Sequence, residues 1–154
     1  MANAGCLVAK VQDMVSTSSN TFLKLDAGMT DVLRPSLYGA VHPITILPGD
    51  GGEVGSETEE VVVVGHCCES GDLMTPVAGQ PESLGTRVLR KAQVGDYAII
   101  DGSGAYCSGM STKNYNSFPE AGEVLVDGDK AWLIRKRQVP EQIWANEVAL
   151  PDGV

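Results

Sequence analysis

Basic residues are scarce: eleven lysines and arginines stand against twenty aspartates and glutamates, a formal charge of −9 over 154 residues. The eleven form no patch, which argues against nucleic acid or an anionic membrane as partner, because both reward clustered Lys and Arg. No stretch approaches the about 20 consecutive apolar residues of a membrane-crossing helix. Residues 1–15 have neither a basic start nor a long apolar run. The expectation is therefore no secretory signal, and a cytoplasmic location (or a plastid, if the source is a plant or alga). Internal repeats and low-complexity tracts are lacking. The four cysteines, at positions 6, 67, 68 and 107, show no C-x-x-C spacing, so neither a zinc ribbon nor a dithiol redox motif is indicated. Cys67 and Cys68 would point opposite ways on a strand, which makes a shared disulfide awkward and favours reduced thiols.

What is present describes a soluble globular domain. Hydrophobic content is 43%, mean hydropathy is close to zero, and the length suffices for one domain with a real core. Short β-patterned runs broken by turn residues predict an all-β barrel or sandwich. Strands are expected at 6–11, 21–25, 44–47, 60–64 and 97–100. Residues 60–64, Glu-Val-Val-Val-Val, read as a strand buried on both faces. A hairpin is expected at 123–126 and 130–134 around Asp127-Gly128-Asp129. Helical signals are weak: a short turn at 30–33 before Pro35, and another near 140–146. Residues 49–60 hold four glycines, five acids and no base, and read as a solvated hairpin loop that would repel phosphate.

Three segments carry polar and reactive residues that a plain barrel does not need. In the first, Pro35 keeps Arg34 from continuing a helix and so places it at an irregular corner. Arg34 and Tyr38, four residues apart, could grip a carboxylate with a planar fork and a phenol. Spacing alone favours a blander reading, Arg34 capping carbonyls and Tyr38 a half-buried ring. The second segment, His66-Cys67-Cys68-Glu69, follows the buried strand. An anion beside Cys68 keeps a thiol protonated, which suits a proton donor more than a nucleophile. Cys67 reads as a small buried hydrophobe and His66 as a hydrogen-bonded structural imidazole. A zinc site from His66 and the two thiols lacks a fourth ligand at usual spacing. The third segment, Gly104-Ala105-Tyr106, puts small residues before a tyrosine, which could then contact a ring or a phosphate. As a lone signal it is a turn followed by a core aromatic.

Taken together, residues 26–38 (Asp-Ala-Gly-Met-Thr-Asp-Val-Leu-Arg-Pro-Ser-Leu-Tyr) with His42, Cys68-Glu-Ser-Gly-Asp72, Gly104-Ala-Tyr106, Asn114-Tyr-Asn116 and Glu123-Val-Leu-Val126 resemble the C-terminal half of the diaminopimelate decarboxylases. These form a branch of the alanine-racemase-like decarboxylases, and the likeness runs from about residue 4 to 138 in their order and spacing. It implies a Greek-key β-barrel filling residues 1–154, joined in the parent protein to a (β/α)₈ barrel that is absent from this chain. It implies pyridoxal 5'-phosphate held by a lysine of that barrel, and a homodimer whose β-domain completes the partner's site. It implies conversion of meso-2,6-diaminopimelate to L-lysine and carbon dioxide.

Residue by residue, the resemblance makes Cys68 the proton donor and Glu69 the partner of the distal ammonium. Arg34 and Tyr38 become the grip on the distal carboxylate, and Tyr106 a contact to cofactor and substrate. Relatives acting on ornithine tend to carry Cys-Asp where this chain has Cys68-Glu69. The charges agree with this, since a substrate with two zwitterionic ends needs a cation and an anion at its far end. The family's Tyr-Ala-x-Lys pattern is missing, and Lys10 in Leu7-Val8-Ala9-Lys10 is a superficial lookalike. The chain alone is therefore expected to be inactive. Lacking strand material that the family's β-domain takes from the N-terminus of the full chain, it is expected to have a barrel edge that is blunted or pairs with another copy. Rival readings are a related arginine- or ornithine-type decarboxylase, a non-catalytic homologue acting by protein contact, and a small metal-binding barrel.

Overall fold

The structure, a computed structural model, describes residues 1–151 and 153. Two compact units divide the chain, Met1–Thr112 and Lys113–Val154.

The first unit is built on a six-stranded sheet. Its strands are β1 (Leu7–Ser16), β2 (Thr21–Leu25), β3 (Ile44–Leu47), β4 (Thr58–Val64), β7 (Arg87–Arg90) and β8 (Tyr97–Ile100), with a short helix α1 (Arg34–Tyr38) before β3. A two-stranded hairpin, β5 (Pro76–Val77) and β6 (Gln80–Leu84), separates β4 from β7. The sheet order is β3-β8-β1-β2-β4-β7. β1 pairs with β8 through residues 7–10 and with β2 through residues 11–16. The register shifts between Val11 and Asp13, a bulge that bends the strand as it passes from one neighbour to the other. The edge strands β3 and β7 come together, where Arg90 Nε donates to the Ile46 carbonyl at 3.0 Å. The all-β barrel expected from the residues is thus the fold, and a side chain blunts its open seam.

Alternation decides what lies inside. On β2, Leu23 and Leu25 are fully buried while Lys24 faces solvent; on β8, Ala98 and Ile100 turn inward. Val61, Val62 and Val63 are all buried, as a strand covered on both faces requires. Strands β2, β3 and β8 coincide with the runs their patterns mark, and β1 and β4 extend beyond theirs. β5, β6 and β7 have no counterpart among the expected strands. The acidic stretch at 49–57 is exposed, but it is no hairpin: β3 and β4, which it joins, are not neighbours in the sheet.

The seam has its own electrostatic lock. Arg90 NH2 lies 2.6 Å from Asp96 Oδ2, both side chains largely covered. Asp96 also accepts the N–H groups of Gly49 and Gln93, each at 3.0 Å. Burial pushes its carboxyl pKa up, but these two N–H bonds and Arg90 outweigh burial and hold it below the usual value of 3.8. A depressed folded-state pKa means that this stabilisation is complete above the unfolded carboxylate's pKa and is lost as pH falls through the folded value. Asp96→Asn is expected to cost about 2–3 kcal/mol at neutral pH, since it leaves Arg90 without its anion. The gap to wild type should begin to narrow below about pH 4 and close only once pH has passed below the folded-state value. Urea unfolding at the two pH values checks both; a gap unchanged by acid would refute the role of the charge.

The second unit is described by itself. A 3-10 turn at Tyr115–Ser117 leads to a hairpin of β9 (Glu123–Asp127) and β10 (Lys130–Arg135) around Gly128 at φ +59, as the Asp-Gly signal predicts. Ion pairs Lys113–Glu120 at 2.7 Å and Arg135–Glu123 at 3.4 Å brace it. The expected helical signal near residue 140 is a single 3-10 turn, Pro140–Gln142.

Candidate active site

Strand direction brings the three reactive segments together. β1 is antiparallel to both β2 and β8, and β2 is parallel to β4. β2, β4 and β8 therefore run the same way and release the chain at one end of the barrel. There they give rise to residues 26–43, 65–72 and 101–107. β3, antiparallel to β8, starts at that same end, with Ile44 opposite Ile100.

Cross-links between the loops make the convergence a matter of contact. Asp72, 3% exposed, accepts the Met29 N–H at 2.7 Å and the Cys67 N–H at 2.8 Å, tying the loop after β4 to the loop after β2. Glycine is required at both walls of this carboxylate, since a Cβ at Gly28 or Gly65 would collide with its oxygens. Thr30 Oγ1 and His66 Nε2 form a second tie at 2.7 Å. Burial lowers the pKa of His66 and outweighs the pull of Asp31, Asp72 and Asp26, so this imidazole favours its neutral form. It is the structural histidine its position suggests.

The third loop is tied through a different histidine. His42, 4% exposed, holds Nδ1 at 2.8 Å from the Asp101 carbonyl, while Arg34 NH1 lies 3.3 Å from Nε2. A guanidinium can only donate, so Nε2 accepts and the ring proton sits on Nδ1, donating to Asp101. Burial raises the pKa of the Cys107 thiol next to Tyr106, and the charge of Arg34 opposes that rise.

Arg34 does not stand at an irregular corner; it opens α1. Pro35 occupies the first turn, where a missing N–H costs nothing, so the proline begins this helix instead of forbidding it. Tyr38 ends the helix and is 56% exposed, not a core ring. Gly39 closes it at φ +62, its N–H bonded to the Pro35 carbonyl at 2.9 Å. Gly39 also lets the β5–β6 hairpin approach: its carbonyl accepts from Gly79, and a Cβ there would strike the Gln80 nitrogen.

Cys67 is half-buried and hydrogen-bonded, not a plain buried hydrophobe. Burial first, then the charge of Asp72 and a bond from the thiol to it, push its pKa up to about 12. Cys68 and Glu69 are exposed at the loop tip. Glu69 Oε1 accepts the Gly71 N–H at 3.0 Å and the Ser70 hydroxyl at 3.4 Å. Tyr106, with φ +58 and 74% exposure, is held outward in the left-handed region, contrary to a core aromatic. Lys10 pairs with Tyr97 at the start of β8 and reaches toward Gly95, so it lies away from this rim. Among the described residues no group of three or more His, Cys, Asp or Glu side chains is arranged to hold a metal.

The loops that leave this end of the barrel thus carry an exposed thiol, an exposed carboxylate and two exposed phenols, with a half-buried guanidinium. The family described as "Pyridoxal-dependent decarboxylase, C-terminal sheet domain" matches residues 1–104, and the chain belongs to it. Within that family its relatives include the diaminopimelate decarboxylase of Escherichia coli K12, 40% identical over 149 residues. That match covers 96% of this chain and 35% of the relative. The enzyme of the same name from Streptomyces coelicolor is 38% identical, covering 96% and 33%. A crystal structure of diaminopimelate decarboxylase superimposes with TM-score 0.87 at 41% identity, covering 94% of this chain and 34% of that one. A lysine/ornithine decarboxylase from Vibrio vulnificus gives 0.62 at 26% identity, covering 78% and 29%. The chain spans about a third of the length of the relatives it matches.

Pyridoxal phosphate, which the family name implies, would meet an exposed phenol at this rim but no amine. Residues 26–43, 65–72 and 101–107 contain no lysine. They fit contact with the group, not its attachment.

Proposed function

We propose that this chain is the part of a diaminopimelate decarboxylase that grips the far end of the substrate and returns a proton to the reacting carbon. The observation that supports the reading is the release of three loops from same-direction strands at one end of the barrel, with Arg34 and Tyr38 on the first, Cys68 and Glu69 on the second and Tyr106 on the third. Meso-diaminopimelate ends in an ammonium and a carboxylate at each side. Arg34 takes the distal carboxylate through its planar fork, and the exposed phenol of Tyr38 adds a donor. Glu69 pairs with the distal ammonium. Tyr106, flanked by Gly104 and Ala105, lies against cofactor and substrate.

Pyridoxal phosphate, when bound, supplies the electron sink that lets carbon dioxide leave. Cys68 Sγ then gives its proton to the carbon that lost the carboxylate, and L-lysine results. The Cys68-Glu69 pair favours diaminopimelate over ornithine. The family relation of the Escherichia coli and Streptomyces coelicolor enzymes points the same way. The cofactor's lysine and phosphate site belong to the remaining two-thirds of the parent protein, and a second subunit completes the assembly. The parent works in the cytoplasm or a plastid.

The full-length enzyme is expected to release carbon dioxide and form lysine from diaminopimelate, with no comparable release from ornithine or arginine. The isolated chain should release none and show no cofactor absorbance band. Equal turnover of ornithine would refute the substrate, and activity of the isolated chain would refute the division of labour.

A further inference from the structure

Arg34 is aimed by a neutral group. Among the described residues no carboxylate lies within ion-pair distance of it, although Arg90, Lys91, Lys113 and Arg135 each have one. Its polar side-chain neighbour is His42 Nε2 at 3.3 Å. His42 is fixed in turn: Nδ1–H donates to the Asp101 carbonyl at 2.8 Å, and the Asp101 N–H donates back to the Pro43 carbonyl at 3.0 Å. Residues 42–43 therefore clasp the end of β8 on both sides of Asp101. The ring is buried and its tautomer is set by a backbone acceptor that cannot move without opening the β3–β8 pair.

We infer that His42 is a positioning residue: it orients the Arg34 guanidinium while leaving the positive charge uncompensated for the substrate's carboxylate. An aspartate or glutamate in its place would hold the arginine equally well. It would also neutralise it, so an incoming carboxylate would have to displace a paired anion or share the cation with it. A neutral imidazole acceptor avoids that conflict. It engages NH1 and leaves the guanidinium's other N–H donors for an incoming carboxylate. The inference rests on the reading of Arg34 as the carboxylate grip.

The test uses the full-length enzyme and two near-isosteric replacements. His42→Gln keeps a neutral acceptor within reach of Arg34, and His42→Glu keeps the acceptor but adds the charge. Gln should hold KM for diaminopimelate within about threefold of wild type, whereas Glu should raise it at least about tenfold with kcat little changed. Melting temperatures separate this from a loss of folding, because a merely structural histidine would be hurt by both replacements to similar extents. Equal KM values for the two variants would overturn the inference. Arg34→Ala is the companion variant. If it raises KM while the Gln and Glu variants stay equal, only the role of His42 fails. If it leaves KM unmoved, the carboxylate grip fails, and the inference with it.

Discussion

Replacing Cys68 by alanine in the full-length enzyme is expected to lower kcat by about 10²–10⁴-fold while KM moves less than threefold, the range for removing a positioned proton donor. The two adjacent thiols differ in setting. Cys67 is turned into its own loop, bonded to Asp72, with a pKa raised to about 12. Cys68 is the exposed member, at the tip of the loop that the β4 strand holds rigidly from below. Cys67→Ala should therefore lower kcat far less than Cys68→Ala, although it loosens the loop. Single-turnover measurements separate proton return from product release. Equal losses for the two variants, or an unchanged kcat for Cys68→Ala, would remove the donor role.

Removing the carboxylate of Asp72 is the second large effect. Asp72→Ala leaves the part-buried N–H groups of Met29 and Cys67 without this acceptor, and strips the Cys67 thiol of its partner. Bonds to a charged acceptor are worth about 1.5–3 kcal/mol each, so a loss of about 3–5 kcal/mol is expected. In a unit of this size that is a fall in Tm of more than about 15 °C. Asp72→Asn retains one oxygen but sets an amide N–H against a backbone N–H, and should fall between. Thermal unfolding of the three proteins gives the order directly. A Tm for Asp72→Ala within a few degrees of wild type would show that the two loops keep their register by other means.

These cases mark where local pattern stops being informative. Strands 21–25, 44–47 and 97–100 were legible residue for residue because each alternates or runs apolar between clear turn residues. The Asp127-Gly128-Asp129 turn was legible for the same reason. β6 was not: Gln80-Pro81-Glu82-Ser83-Leu84 lacks alternation and carries a proline, which argues against a strand unless it lies at an edge. Arg34 was misplaced because a proline ends a helix from within but starts one from its first turn. Of the candidate residues, Arg34, Tyr38, Cys68, Glu69 and Tyr106 stood out through motif order. Tyr106 and Tyr38 proved exposed where spacing alone made them core. The groups that hold them, His42 and Asp72, act across 59 and 43 residues of chain. No window of sequence contains both partners, so their roles could be seen only once the strands had brought the loops together.

The direction of the strands also has a practical side. β3 descends from the reactive rim and β4 climbs back to it, so residues 49–57 turn at the far end, where Gly51 and Gly55 have open space around them. A fluorophore, affinity handle or tether could be grafted there with the chemistry left undisturbed, and natural variation in length should collect there too.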